Sequence, residues 1–96
     1  MTGMTRSSAG LSGRQRKALY RAWHRGMRET DLLLGSFADA EISNLDNSEL
    51  AIFEHLLDQP DAEILGWLTG SCETPAEFDT PLLQRIRNYH PDGQDR

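Results

Sequence analysis

The chain has 96 residues, a formal net charge of −5 and a single cysteine. That length holds one small domain with a compact core. The lone Cys72 excludes an internal disulfide and a Cys-based zinc site and fits a reducing compartment, and no apolar run approaches the ~18 residues of a membrane span.

The charge is sharply segregated. Residues 1–28 carry seven cations (Arg6, Arg14, Arg16, Lys17, Arg21, Arg25, Arg28) and no acid. Residues 29–83 carry thirteen acids and neither Lys nor Arg, and the last thirteen residues are almost balanced. A mixed solvated surface does not look like this. The basic block suits an acidic partner or a nucleic acid, and the acidic remainder would repel a phosphate backbone, which makes nucleic acid the weaker of the two.

In chain order, residues 1–11 lack the apolar stretch of a secretory signal. Their Ser, Thr and Arg faintly suggest a transit peptide, and the simpler expectation is a disordered leader on a bacterial cytoplasmic protein. There is no Val, no alternating strand pattern survives, and the apolar residues recur at helical spacing. A first helix is expected from about Ser12 to Arg25. Leu19, Trp23 and Met27 form its core stripe, and Arg14, Lys17, Arg21, Arg25 and Arg28 lie together on the other side. Like charges at i,i+4 repel by a few tenths of a kcal/mol, so an unbroken basic line points to a surface that a partner uses. A second helix spans about Glu29 to Glu41, with Leu32, Leu33, Leu34, Phe37 and Ala38 as core and Glu29 and Asp31 favouring its N-terminal dipole. Asp46 and Glu49 form a capping box for a third helix, about Asn47 to Asp58, with Leu50, Phe53, Leu56 and Leu57 inward. Pro60 breaks the pattern and starts a fourth helix that buries Ile64, Leu65, Trp67 and Leu68 and ends at Gly70. "ETPAEF" reads as a further cap. Thr80 and Pro81 open a last helix with Leu82, Leu83, Ile86 and Tyr89, closed by Pro91 before a loose tail, 91–96. The expectation is an all-α bundle of five short helices over residues 12–90.

Chemistry is sparse. His24, His55 and His90 share no ligand spacing, and no phosphate loop, nucleophile elbow or Cys-His pair is present. The acid pairs around Asp58, Asp61 and Glu63 read as an acidic face, and an autonomous enzyme is not expected. What remains is Arg25-Gly26-Met27-Arg28-Glu29, where a glycine either turns the chain or lets another backbone approach, among arginines whose guanidinium fork suits a carboxylate or phosphate.

"RGMRE" with Asp31, then "LLLGSFA" and "LLDQPDAEILGWLTG", resembles the small assembly factors that promote covalent flavin attachment to the succinate dehydrogenase flavoprotein. The resemblance covers Arg14 to Tyr89. His24 stands where bacterial members often have another Arg, Thr30 where Leu is common, and the longer segments lean toward the mitochondrial and alphaproteobacterial side of the family. The resemblance implies a five-helix bundle that binds the flavoprotein subunit, with Arg25, Gly26 and Glu29 at the family's Arg-Gly-x-x-Glu positions and Arg21, Met27, Arg28 and Asp31 beside them. It implies no cofactor of its own, because FAD sits on the partner, where a histidine bonds to the flavin 8α-methyl carbon. A monomer is expected, with a Trp- and Leu-rich surface patch leaving a weak dimer open, in the bacterial cytoplasm or in the mitochondrial matrix of a eukaryote, and the fumarate reductase flavoprotein is a second candidate partner. Two other classes stay open: an acidic inhibitor or antitoxin-like module, and a nucleic-acid binder acting through the first helix.

Overall fold

The computed structural model describes residues 10–89. The tail expected over 91–96, and all of the expected leader except Gly10 and Leu11, lie outside the described residues. Leu11 is buried against the core.

The fold is the expected all-α bundle: α1 (Gly13–Trp23), α2 (Arg28–Glu41), α3 (Asn47–Leu57), α4 (Asp61–Thr69) and α5 (Pro81–Asn88), with 3₁₀ turns at Ile42–Asn44 and Ala76–Phe78. The helix starts follow local chemistry. Ser12 caps α1 and Asp46 caps α3, each in a full capping box with Gln15 or Glu49 three residues on. Pro60 precedes α4, and Thr80 caps α5 with Pro81 in its first turn. Gly70 ends α4 with φ +83°, the left-handed conformation that glycine adopts without a Cβ penalty.

Three details differ from the sequence reading. The first helix stops at Trp23 rather than Arg25, and Met27 sits at the N-cap position of α2 rather than extending the α1 stripe. "ETPAEF" forms a single 3₁₀ turn without a side-chain cap, and Thr74 instead accepts a hydrogen bond from Arg87. The last helix ends at Asn88, leaving Tyr89 extended and edge-on to Phe37.

The core is continuous. Phe37 and Phe53 are its largest fully buried side chains, joined by Leu19, Leu34, Ile42, Leu57, Ile64, Leu83 and Ile86. Trp23 and Trp67 are buried, as expected. Phe78 reaches in from its 3₁₀ turn and stacks between the rings of Trp67 and His55, at 4.8 and 4.9 Å. Leu32, expected in the core, is instead exposed on α2. Three consecutive leucines cover about 200° of a helix, more than one buried face can take.

The seam between α1 and α2 depends on Gly35. A Cβ there would lie 2.3 Å from Cδ2 of the Trp23 indole. Gly35→Ala should therefore destabilise by about 1–3 kcal/mol through overpacking. In a domain this small that lowers the melting temperature by several degrees, about 4–8 °C per kcal/mol. Thermal unfolding followed by circular dichroism checks it. A wild-type melting temperature would mean that the indole and the α2 backbone are not packed this tightly.

Candidate functional site

The connection between α1 and α2 is four residues long, His24 to Met27. Its shape is held from both ends. Gly26 has φ +105°, a conformation that L side chains rarely adopt. Just before it, the Arg25 backbone N–H donates to Oδ1 of Asp31 at 2.7 Å, so the first turn of α2 reaches back to fix the loop. Just after it, Thr30, fully buried, donates its hydroxyl to the Met27 carbonyl at 3.0 Å. Thr30 is thus a satisfied buried hydroxyl rather than an unpaired one.

The Arg25 side chain turns inward. Nε donates to Oδ1 of Asp61 at 2.7 Å, Nη1 to the Leu57 carbonyl, and Nη2 to the Gln59 carbonyl at 2.6 Å. All three guanidinium nitrogens are engaged, and the side chains of Arg25 and Asp61 are only 10% and 16% exposed. Arg25 thereby satisfies carbonyls at and beyond the C-terminal end of α3, where the helix dipole favours a cation, and ties the α1–α2 connection to the start of α4. Its fork geometry is used within the fold.

The other cations of the basic line divide into two groups. Arg14 makes two bonds to Glu54, at 2.9 and 2.8 Å, and Arg21 pairs with Asp58 at 2.6 Å. With Arg25–Asp61 these form a ladder in the same order along the chain, from α1 and its following connection to α3, its C-cap and the first residue of α4. The basic line that suggested an external partner is therefore largely neutralised from within. Lys17 and Arg28 remain. Both are exposed, and among the described residues neither has a hydrogen bond or ion pair. Glu29, next to Arg28, is likewise exposed and unpaired.

His24 closes α1. Its Nδ1 lies 2.8 Å from the Tyr20 carbonyl, which can only accept, so Nδ1 carries the proton. The ring stacks on Tyr20 at 3.9 Å and 19°. Of the seven residues singled out beforehand, Gly26, Arg28 and Glu29 form one exposed surface. Arg25 and Asp31 hold that surface from beneath, Met27 between them is half-buried, and Arg21 is paired with Asp58, the C-cap of α3. The residue missed was Asp61. "DQPD" reads in sequence as a helix break within an acidic face and as part of the family resemblance, with no signal that Asp61 pairs with Arg25.

No group of three or more His, Cys, Asp or Glu side chains among the described residues could hold a metal ion, and no helix among them is long and apolar enough to cross a membrane. A hollow lined by Ile52, Leu56, Phe78, Thr80, Leu82 and Leu83 carries no charged group for a dinucleotide's pyrophosphate. It does not fit FAD.

Comparison with known proteins gives the family. Residues 16–90 match the Sdh5 family, described as the flavinator of succinate dehydrogenase. The chain is 43% identical over 75 residues to a mitochondrial succinate dehydrogenase assembly factor 2 of Dictyostelium discoideum, covering 78% of this chain and 53% of that protein. It is 41% identical over 76 residues to the FAD assembly factor SdhE of Acetobacter pasteurianus, covering 79% and 70%. A mitochondrial assembly factor 2 of Cryptococcus neoformans is 38% identical over 74 residues, 76% of this chain and 42% of that one. The chain thus spans about half the length of the Dictyostelium relative and less of the Cryptococcus one. It belongs to the Sdh5 flavinator family.

The clamp and the ladder behave differently under mutation and acid. Removing one member of a largely buried ion pair costs about 3 kcal/mol or more, so Asp61→Ala and Arg25→Ala should each destabilise strongly. A double-mutant cycle in urea should return a coupling well above that of an exposed pair; additive losses would remove the clamp. Two hydrogen bonds from Arg14 hold the Glu54 carboxyl below the usual carboxylate range and raise the Arg14 guanidinium in turn. A depressed folded-state value means the contribution is present above the ordinary Glu range and is lost as pH falls through the folded value. Glu54→Gln should therefore lower stability at pH 7 and converge with wild type in strong acid. Parallel stability curves down to pH 2 would contradict this.

Proposed function

We propose that this member of the flavinator family is an assembly factor that docks on the flavoprotein subunit of succinate dehydrogenase and promotes covalent attachment of FAD to it. The observation that carries the reading is the α1–α2 turn. It is a tight, glycine-centred connection, locked from behind by Arg25, Thr30 and Asp31, that presents Gly26, Arg28 and Glu29 to solvent with no side-chain partners among the described residues. Charged groups left unpaired on a rigid loop suit a partner better than they suit the fold, since the ordering cost has already been met.

The roles of the motif residues then separate. Gly26 admits the partner's backbone. Arg28 and Glu29 make charge-assisted bonds across the interface. Arg25 is a positioning residue, acting through the turn that it holds. The electron-accepting chemistry of the new bond belongs to the flavin on the partner. This chain supplies binding energy that orders the flavoprotein so that its histidine and the flavin meet. It is not itself an enzyme and holds no cofactor. One copy suffices, because the five helices close over a single core and, among the described residues, leave only Tyr20, Leu32 and Ile52 as large exposed hydrophobics. The fumarate reductase flavoprotein is a second substrate for the same surface. The site of action is wherever the flavoprotein is assembled: bacterial cytoplasm, or the matrix of a mitochondrion.

The test mixes apo flavoprotein subunit with FAD, with and without this protein, and reads covalent flavin by fluorescence in a denaturing gel. A fluorescent band should appear faster in its presence. Gly26→Arg and Glu29→Ala should abolish or slow that gain. A Cβ at Gly26 meets only Oδ2 of Asp61, at an ordinary 3.7 Å, so the cost within the fold is backbone strain of about 1–2 kcal/mol. Gly26→Ala carries the same strain with little bulk and serves as the control. A band that ignores the protein, or is restored equally by Gly26→Arg, would defeat the proposal.

A further inference from the structure

We infer that the docking surface extends past the motif turn onto an apolar strip along the α1–α2 seam, with Tyr20 and Leu32 as its anchors and the same flavoprotein subunit as its occupant. The inference rests on the proposed function. It begins from a peculiarity of burial. Among the described residues only three large hydrophobics are exposed, and two of them, Tyr20 at 57% and Leu32 at 44%, flank this one turn.

Helical register puts both on one side. Trp23 and Gly35 meet at the seam. On α1 the buried Leu19 and Ala22 lie to one side of Trp23, and Tyr20 lies about 60° to the other. On α2 the buried Leu34 and Ala38 lie to one side of Gly35, and Leu32 lies about 60° to the other, with Arg28 between. The core side is common to both helices, so Tyr20, Leu32 and Arg28 share the outward side.

The strip is also pre-ordered. The His24 imidazole is pinned by its bond to the Tyr20 carbonyl and stacks on the Tyr20 ring, which makes a flat two-ring platform where α1 enters the connection that holds Gly26. An aromatic anchor that is already held loses little entropy on binding, and such residues at the centre of an interface with a charged rim carry much of its energy. The rim here is Lys17, Arg28 and Glu29, the charges that the α1–α3 ladder leaves unpaired. The complementary surface is an apolar depression bordered mainly by acid. With Arg14, Arg21 and Arg25 already paired internally, few cations remain to be screened, so binding depends more on Tyr20 and Leu32 than on salt.

The experiment titrates the purified, FAD-loaded flavoprotein subunit with fluorescently labelled wild type, Tyr20→Ala, Leu32→Ser and Ile52→Ser, and checks each variant's melting temperature. Exposed positions should melt near wild type. Tyr20→Ala and Leu32→Ser should each weaken binding at least tenfold, while Ile52→Ser, the third exposed hydrophobic, on α3, should stay within twofold. If both seam variants bind like wild type while Gly26→Arg does not bind, the strip is not part of the interface and the motif turn acts alone. Equal weakening by all three substitutions would likewise overturn the strip. If wild type itself does not bind the flavoprotein, the strip and the proposed function fall together.

Discussion

The Arg25 guanidinium is the point on which the site turns. It reaches from the α1–α2 connection to the Asp61 carboxylate and to the carbonyls of Leu57 and Gln59, so three segments distant in sequence share one group. Burial gives it leverage. The Arg14–Glu54 and Arg21–Asp58 pairs are largely solvated and worth little by themselves. Arg25 and Asp61 have lost most of their water, and either one alone would be a buried charge without a partner. The turn it anchors can hold a left-handed glycine outward because the bonds behind it over-determine its shape.

The segregated charge of the chain finds its explanation in the same contact. Cations at 14, 21 and 25 meet acids at 54, 58 and 61 in the same order, so part of the basic block at one end of the sequence faces part of the acidic block in its middle across the packing of α1 and the following connection on α3, its C-cap and the start of α4. What is left over after that pairing is the surface on which the proposed docking rests. Lys17, Arg28 and Glu29 stand there without an ion pair among the described residues, beside the Tyr20–His24 stack and Leu32.

The sequence by itself determined the five helices and most of their limits. Capping boxes at Ser12 and Asp46, Pro at the entries to α4 and α5, and Gly70 at an exit act within a turn of the residues that carry them. The buried leucines, both tryptophans and the family were legible for the same reason: periodicity and motifs are local patterns. Only the tertiary structure decided where the charges go. A guanidinium reads the same in sequence whether its carboxylate lies thirty-six residues along the chain or on another protein, so Arg25 as an internal clamp could not be told from Arg25 as an external contact. Leu32 was misplaced by the same limit, since a helix period says which residues share a face but not how wide a strip its neighbours cover. Pairing and coverage are set by which helices meet and at what register. That is a property of the packed bundle, not of any one segment.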